Sequence, residues 1–98
     1  MTIDKKVNGA ELTLALEGRL DTSTAPQLEA ELRASLAGVT NLKMDFAQLQ
    51  YLSSAGLRVI LAAQKIMNKQ GAMVITNVNE TIMEIFEITG FADILTIE

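Results

Sequence analysis

Apolar and polar residues alternate in two stretches of the chain, residues 12–17 and 41–46. This alternation is the pattern of β-strands that bury one face. Residues 72–76 instead form a continuous apolar run, which predicts a central strand covered on both faces. The predicted strands are residues 3–7, 12–17, 41–46, 72–76 and 94–97.

Three other segments repeat apolar residues at helical spacing. The first predicted helix begins at a capping box formed by Thr24 and Gln27. Asn79 caps the third helix, and a glycine ends each of the three. The second helix covers residues 54–70, and the terminating glycines are Gly38, Gly71 and Gly90. The apolar positions are Leu28, Leu32 and Leu36 in the first helix, Val59, Ile60, Ala63, Ile66 and Met67 in the second, and Ile82, Met83, Ile85, Phe86 and Ile88 in the third.

The predicted elements follow the order β-β-α-β-α-β-α-β, which fits one α/β domain spanning residues 1–98. Asn8-Gly9 between the first two strands is the sequence signal of a tight hairpin. The β-α units that follow imply parallel strands joined by right-handed crossovers. We therefore expect a mixed sheet of four to five strands, with an N-terminal antiparallel hairpin, packed with three or more helices. Because two strands alternate apolar and polar residues, part of one sheet face is expected to meet water.

Composition excludes several classes of function. The chain has no cysteine and no histidine, so it lacks the side chains for a thiolate or imidazole metal site and for a Ser-His-Asp triad. A net charge of −4 argues against nucleic acid as a partner. There is no signal-peptide stretch, and no apolar run is long enough to span a bilayer. We expect a cytoplasmic protein that is not an enzyme, uses no metal or cofactor and does not insert into membranes.

The residues best suited to a chemical role are two serines that lie between a predicted strand and the second predicted helix. The strand at residues 41–46 runs into a polar loop, and Ser53, Ser54 and Gly56 then open the second helix. Unpaired backbone N–H groups at a helix N-terminus favour a phosphate there, whereas a serine at this position is equally typical of a helix cap. If the second and third strands are parallel neighbours, Asp21 lies at the same carboxyl edge of the sheet as Ser54.

Several short motifs have an order and spacing that are specific when taken together. They are Gly18-Arg19-Leu20-Asp21 with Thr24-Ala25, Asp45-Phe46 at a strand end, Ser53-Ser54-Ala55-Gly56-Leu57, and Thr89-Gly90-Phe91. Through these motifs nearly the whole chain resembles the STAS domain family. This is the fold of bacterial anti-sigma factor antagonists, and it also forms the cytoplasmic tail of sulfate transporters.

In antagonists of this family, the resemblance implies, the loop reads Asp-Ser-Ser/Thr-Gly and its first serine is phosphorylated by a partner anti-sigma factor that is itself a serine kinase. The unmodified antagonist binds that partner and releases the sigma factor, phosphorylation blocks binding, and a protein phosphatase resets the switch. Alignment on Gly56 places Ser54 at the phosphorylated position and Asp21 at the family's aspartate. Ser53 replaces an acidic residue of the family pattern, which makes it an alternative acceptor, and Ala55 replaces the second hydroxyl.

We expect the partner to contact the surface around the serines. The predicted contact residues are Asp21, Ser53, Ala55, Gly56, Leu57, Arg58 and Leu61. Structural roles compete for several of them, since Asp21 also fits a turn and Leu57 and Leu61 also fit the core. Gly56 also fits a close approach of the helix start to the sheet or to a partner. A basic stripe on the second helix fits either a solvated face or a partner-facing one; it comprises Arg58, Lys65 and Lys69.

Two other functions are compatible with the sequence. The first is a constitutive interaction subunit without phosphorylation, such as a STAS-like accessory subunit of a bacterial lipid-transport ATPase. The second is a serine hydrolase or transferase that uses Ser54, which without histidine requires a lysine or carboxylate base. The sequence holds no ATP-binding motif, so any nucleotide has to come from the partner.

Overall fold

A computed structural model describes the whole chain, residues 1–98, as four β-strands, three α-helices and one turn of 3-10 helix. None of the helices combines the length and the apolar character that crossing a membrane requires. The elements are β1 Thr2–Asn8, β2 Glu11–Leu20, α1 Ala25–Ser35, β3 Asn41–Leu52, α2 Ser54–Gln70, β4 Ala72–Thr76, α3 Glu80–Thr89 and the 3-10 turn Phe91–Asp93.

The strands form one mixed sheet in the order β1-β2-β3-β4. β1 and β2 are antiparallel, whereas β3 runs parallel to both β2 and β4. Asn8 pairs with Glu11, so a two-residue turn closes the hairpin. Gly9 in that turn has a φ of 61°, which glycine adopts more readily than other residues. The predicted hairpin and the predicted parallel pairing of β2 with β3 are confirmed.

The hydrophobic core lies against one face of the sheet. The strand register aligns buried side chains into rows on that face, Leu12 with Leu42 and Met73, and Leu14 with Met44 and Ile75. Apolar residues from all three helices join them in one cluster of 24 buried residues. On the opposite face Lys43 is exposed, and Thr13 and Val74 are half-buried. This confirms the prediction that part of one sheet face meets water.

The predicted position of β4 and the predicted last strand are wrong. β4 lies at the end of the sheet, and Ala72 at its start is exposed. Beyond β4 the only pairing is an isolated bridge between Ile75 and Ile97, because a 3-10 turn occupies the chain just before it. A short apolar run does not reveal how many neighbours a strand has, since periodicity reports the burial of side chains and not the pairing of the backbone.

β2 and β3 are both longer than predicted, because residues 18–20 and 47–52 continue the strands instead of forming loops. The pairing of β2 with β3 is interrupted by two register shifts, at each of which β3 carries one extra residue. Such bulges break the alternation of buried and exposed positions while the strand continues. The buried residues of the second half of β3 are therefore three positions apart, at Phe46, Leu49 and Leu52.

The start of α1 differs from the predicted capping box. Thr24 occupies the N-cap position, but its hydroxyl makes no capping bond to the helix. The hydroxyl accepts a hydrogen bond from the Asp21 N–H and donates one to the Arg19 carbonyl, each 2.8 Å long. The Gln27 side chain donates to the Met1 carbonyl at 3.2 Å. Thr24 therefore fixes the loop between β2 and α1.

α2 and α3 begin and end as predicted. The buried side of α2, however, is rotated about the helix axis relative to the side that the sequence predicted. Ile66, expected in the core, is 43% exposed, whereas Gln64 is only 6% exposed. The Gln64 side chain donates to the Asn68 side chain at 2.8 Å, so one polar group at this buried position is satisfied within the helix. Leu57, seven residues before Gln64 and therefore on the same side of the helix, is buried as well.

Asp45 ties the end of the regular part of β3 to the loop after β4. Its Oδ1 accepts hydrogen bonds from the Asn77 side chain and from the Ala47 N–H, both 2.9 Å long. These bonds favour the charged form and hold the pKa of Asp45 below its usual value, Asn77 having the largest effect, with a further contribution from the charge of Lys43. Asn77 has a φ of 59°, so the carboxylate also anchors a loop in a conformation that few side chains adopt.

We expect Asp45→Asn to lower the free energy of unfolding at pH 7 by about 1 kcal/mol. Because the folded-state pKa lies below the unfolded value of about 3.9, this contribution is present above pH 4 and is lost as the pH falls through the folded-state pKa. Urea denaturation at a series of pH values from 7 to 2.5 measures this contribution as the difference in the free energy of unfolding between wild type and Asp45→Asn. We expect this difference to vanish at the lowest pH. A difference that stays constant over this range would contradict the assignment.

Candidate functional site

The carboxyl ends of β2 and β3 bring the predicted site residues to one edge of the sheet. β2 ends at Leu20 and β3 ends at Leu52, and the Ser53 N–H donates to the Leu20 carbonyl at 2.9 Å. Asp21 follows Leu20 directly, so the aspartate loop and the serine pair adjoin each other. The prediction that Asp21 and Ser54 share one surface is confirmed.

The two serines have different structural roles. Ser53 is the N-cap of α2, with extended backbone angles, and its half-buried Oγ accepts from the Gly56 N–H at 3.4 Å. Ser54 is the first residue of the helix and is exposed. Its hydroxyl makes no hydrogen bond within the chain. The capping role therefore belongs to Ser53, and Ser54 presents a free hydroxyl at the helix tip.

The serine hydroxyls lack a general base in contact. No lysine or carboxylate forms a hydrogen bond with either of them, since the only such bond in the pair is the cap from Gly56 to Ser53. A nucleophilic serine needs a partner that removes its proton. The geometry therefore gives no support to the hydrolase alternative that the sequence left open.

Gly56 lets α2 approach the ends of both strands. It is buried, and a Cβ at this position would lie 2.7 Å from Leu20 Cγ and 2.8 Å from Leu52 Cδ1. Both leucines are core residues that are at most 3% exposed. The glycine therefore acts in packing, which is the structural role that the sequence suggested for it.

Asp21 organises the loop before α1. Its Oδ1 accepts hydrogen bonds from the Ser23 hydroxyl at 2.7 Å and from the Ser23 and Thr24 N–H groups at 3.0 and 3.1 Å. These bonds, the Ser23 hydroxyl first among them, hold the pKa of Asp21 below its usual value. Its Oδ2 lies 3.8 Å from Arg19 Nε, and the Arg19 guanidinium stacks 4.1 Å above the Tyr51 ring. Asp21 therefore stabilises the turn before α1, which is the structural role that the sequence suggested. The Asp21 side chain is 29% exposed.

The other predicted contact residues divide between surface and core. Arg58 is exposed, and Ala55 and Leu61 are half-buried. Leu57 is 6% exposed and belongs to the core cluster, so its burial favours packing over contact with a partner. The residues of the basic stripe, Arg58, Lys65 and Lys69, are all exposed, and none of them forms an ion pair.

A shallow groove of about 240 Å³ lies between the first two turns of α1 and the first two turns of α2, the helix that Ser54 begins. Its α1 side was not among the predicted contact residues. The sequence did contain one indication that α1 contributes to the groove. Helices that follow parallel neighbouring strands by right-handed crossovers pack on the same face of a sheet, which places α1 beside α2. The groove is lined by Thr22, Ala25, Pro26, Glu29, Ala55, Arg58 and Val59.

The sequence matches a known family over almost its whole length. Residues 3–96 match the family described as "Mlab, STAS domain". BtrV of Bordetella bronchiseptica, provisionally named an anti-sigma factor antagonist, is 38% identical over 99 residues, covering 99% of this chain and 84% of BtrV. The anti-sigma-B factor antagonist of Bacillus subtilis is 29% identical over 98 residues, covering 99% of this chain and 90% of the relative.

Solved structures share the arrangement of strands and helices. The unphosphorylated form of the anti-sigma factor antagonist SpoIIAA superposes with a TM-score of 0.78 at 18% identity, covering 99% of this chain and 87% of that structure. The phosphorylated form of Bacillus SpoIIAA superposes with a TM-score of 0.77 at 19% identity, covering 99% of this chain and 91% of that structure. The fold described above is therefore the fold of both forms of SpoIIAA.

Proposed function

The chain belongs to the STAS domain family, and from this premise we propose that it is an anti-sigma factor antagonist switched by phosphorylation of Ser54. In the unmodified state it binds an anti-sigma factor that is itself a serine kinase, and the sigma factor is released. Phosphorylation abolishes this binding, and a protein phosphatase restores it. The chain acts by binding and catalyses no reaction of its own.

The proposal rests on the different structural roles of the two serines. The kinase transfers the γ-phosphoryl group of ATP to a hydroxyl oxygen, and ADP and the hydroxyl proton leave. Ser54 is exposed and its Oγ is free, whereas the Ser53 Oγ is half-buried and engaged as the cap of α2. Modification of Ser54 therefore leaves the cap in place.

A phosphate on Ser54 changes the contact surface without unfolding the domain. Negative charge is favourable in the first turn of a helix, by about 0.3–1 kcal/mol, and the first turn of α2 contains no acidic residue. The added charge of about −1.5 to −2 and the added bulk then act on the partner alone. Like charges brought together in an interface cost several kcal/mol, which is enough to release a partner.

The names of the relatives agree with this function. BtrV and the Bacillus subtilis protein are named as antagonists of anti-sigma factors. SpoIIAA exists in phosphorylated and unphosphorylated forms, both with the fold of this chain. An antagonist whose fold survives the modification is what a switch based on local charge requires.

Incubation with ATP and the anti-sigma factor kinases of the source organism, followed by phosphopeptide mapping, tests the proposal. We expect one phosphate per chain, on Ser54, and its loss in Ser54→Ala. The matched control is Ser53→Ala, which we expect to remain a substrate while the free energy of unfolding falls by about 1 kcal/mol through loss of the cap. Phosphate on Ser53, or only outside the serine pair, would contradict the proposal.

The alternative is an accessory subunit that binds its partner without phosphorylation, such as a subunit of a lipid-transport ATPase. The matched family is described as "Mlab, STAS domain". This description does not mention antagonists of anti-sigma factors, so it is compatible with this alternative as well. Affinity purification from the source organism separates the two functions. An anti-sigma factor kinase whose binding is lost on addition of ATP supports the antagonist, whereas a transporter ATPase retained with and without ATP supports the subunit.

A further inference from the structure

Arg58 is a cation without a carboxylate partner beside the proposed phosphorylation site. It is exposed and lies four residues after Ser54 on α2. Residues at this spacing are neighbours on one helix face, with Cβ atoms about 5–6 Å apart. None of the three ion pairs of the protein includes Arg58.

The carboxylates of the groove and of the loop beside the serine pair are engaged elsewhere. Glu29 lines the same groove from α1, but it pairs with Arg33 at 3.3 Å. Asp21 accepts hydrogen bonds from its own loop and lies 3.8 Å from Arg19. α2 itself contains no aspartate or glutamate. A phosphate on its first residue would therefore be the only anion on a helix with three cations, and Arg58 would be the nearest of the three along the helix.

We propose that Arg58 is the phosphate-binding residue of the switch, a role that rests on the proposed phosphorylation of Ser54. Arginine binds phosphate by two parallel N–H···O hydrogen bonds, which are stronger than bonds between neutral groups. The intrahelical pair that results takes the guanidinium away from the partner. Phosphorylation then makes two changes to the contact surface, since it adds an anion and withdraws a cation.

A ³¹P NMR titration of protein with phosphoserine incorporated at position 54 during translation tests this role without any kinase. The second pKa of phosphoserine is about 6, and a bound guanidinium favours the dianion. We expect Arg58→Gln to raise the proton affinity of the phosphate about threefold relative to the unsubstituted phosphoprotein. Lys65→Gln is the matched control, because it removes one positive charge from the same helix at a position about 16 Å along the helix axis from residue 54, compared with about 6 Å for Arg58. We expect it to leave the titration nearly unchanged.

No change in Arg58→Gln, or equal changes in both variants, would overturn the role of Arg58, because the phosphate would then sense only the overall charge of the helix. Either result leaves open whether a kinase modifies Ser54, which the phosphopeptide mapping decides separately. A kinase that modifies another residue would instead remove the proposed function while this titration still gave the expected shift.

Discussion

Replacing Ser54 with aspartate will weaken binding of the anti-sigma factor kinase by at least about tenfold, a loss of 1.4 kcal/mol or more. Ser54 is exposed at the tip of α2, so the carboxylate stays on the surface that the proposed partner binds and cannot withdraw into the core. The same charge is favourable for the helix, because it lies in the first turn. We therefore expect Ser54→Asp to be at least as stable to heat as the wild type while it loses its partner, with calorimetry measuring the affinity and circular dichroism the stability.

Two variants separate charge from shape at this position. Ser54→Asn has the size of the aspartate without its charge, and we expect it to retain more of the affinity. Ser54→Ala removes the acceptor, and we expect it to bind in the presence of ATP as tightly as in its absence. If Ser54→Asn lost as much affinity as Ser54→Asp, bulk and not charge would be the basis of the switch.

Replacing Gly71 with alanine will lower the free energy of unfolding by about 3 kcal/mol. Gly71 joins α2 to β4, and a Cβ here would overlap the Thr40 carbonyl group, 2.6 Å from its carbon and 2.8 Å from Thr40 Cα. The backbone has little room to move, because Thr40 donates to the Ala10 carbonyl and accepts from the Ala72 N–H, both at 2.9 Å. Relief of the clash breaks hydrogen bonds that connect β4 to the rest of the fold.

Gly38→Ala is the matched control for Gly71→Ala. Gly38 has a φ of 80°, but no atom lies within 4 Å of its Cβ position, so the variant carries only the cost of the left-handed backbone, about 1–2 kcal/mol. Urea denaturation measures both variants, and thermal unfolding should show a shift of about 4–8 °C per kcal/mol for a domain of this size. A loss in Gly71→Ala no larger than in Gly38→Ala would show that the backbone adjusts without cost.

The order of the elements was predictable because most segments follow a single period. Leu12 to Leu16 alternate, and the second helix has an apolar side bounded by a serine and a glycine. The second half of β3 was not predictable, since two extra residues opposite β2 disrupt the alternation. The edge position of β4 was not predictable either, because the apolar pattern of the sequence reports the burial of side chains and not the backbone pairing of the strand.

The site was predictable in its location and not in its details. Parallel pairing of β2 with β3 was enough to bring Asp21 next to Ser54. The sequence did not decide which serine caps α2, because either fits the N-cap and helix ends are defined only within one or two residues. The burial of Leu57 was also not decided, because it depends on how α2 rotates against its neighbours, which is a property of tertiary packing.

The most direct test of the switch is isothermal titration calorimetry of the purified anti-sigma factor kinase, without ATP, against two forms of the protein. One form is unmodified, and the other carries phosphoserine at position 54. The account predicts tight binding of the unmodified form and affinity at least about tenfold weaker for the phosphorylated form. Equal affinity for the two forms would contradict it.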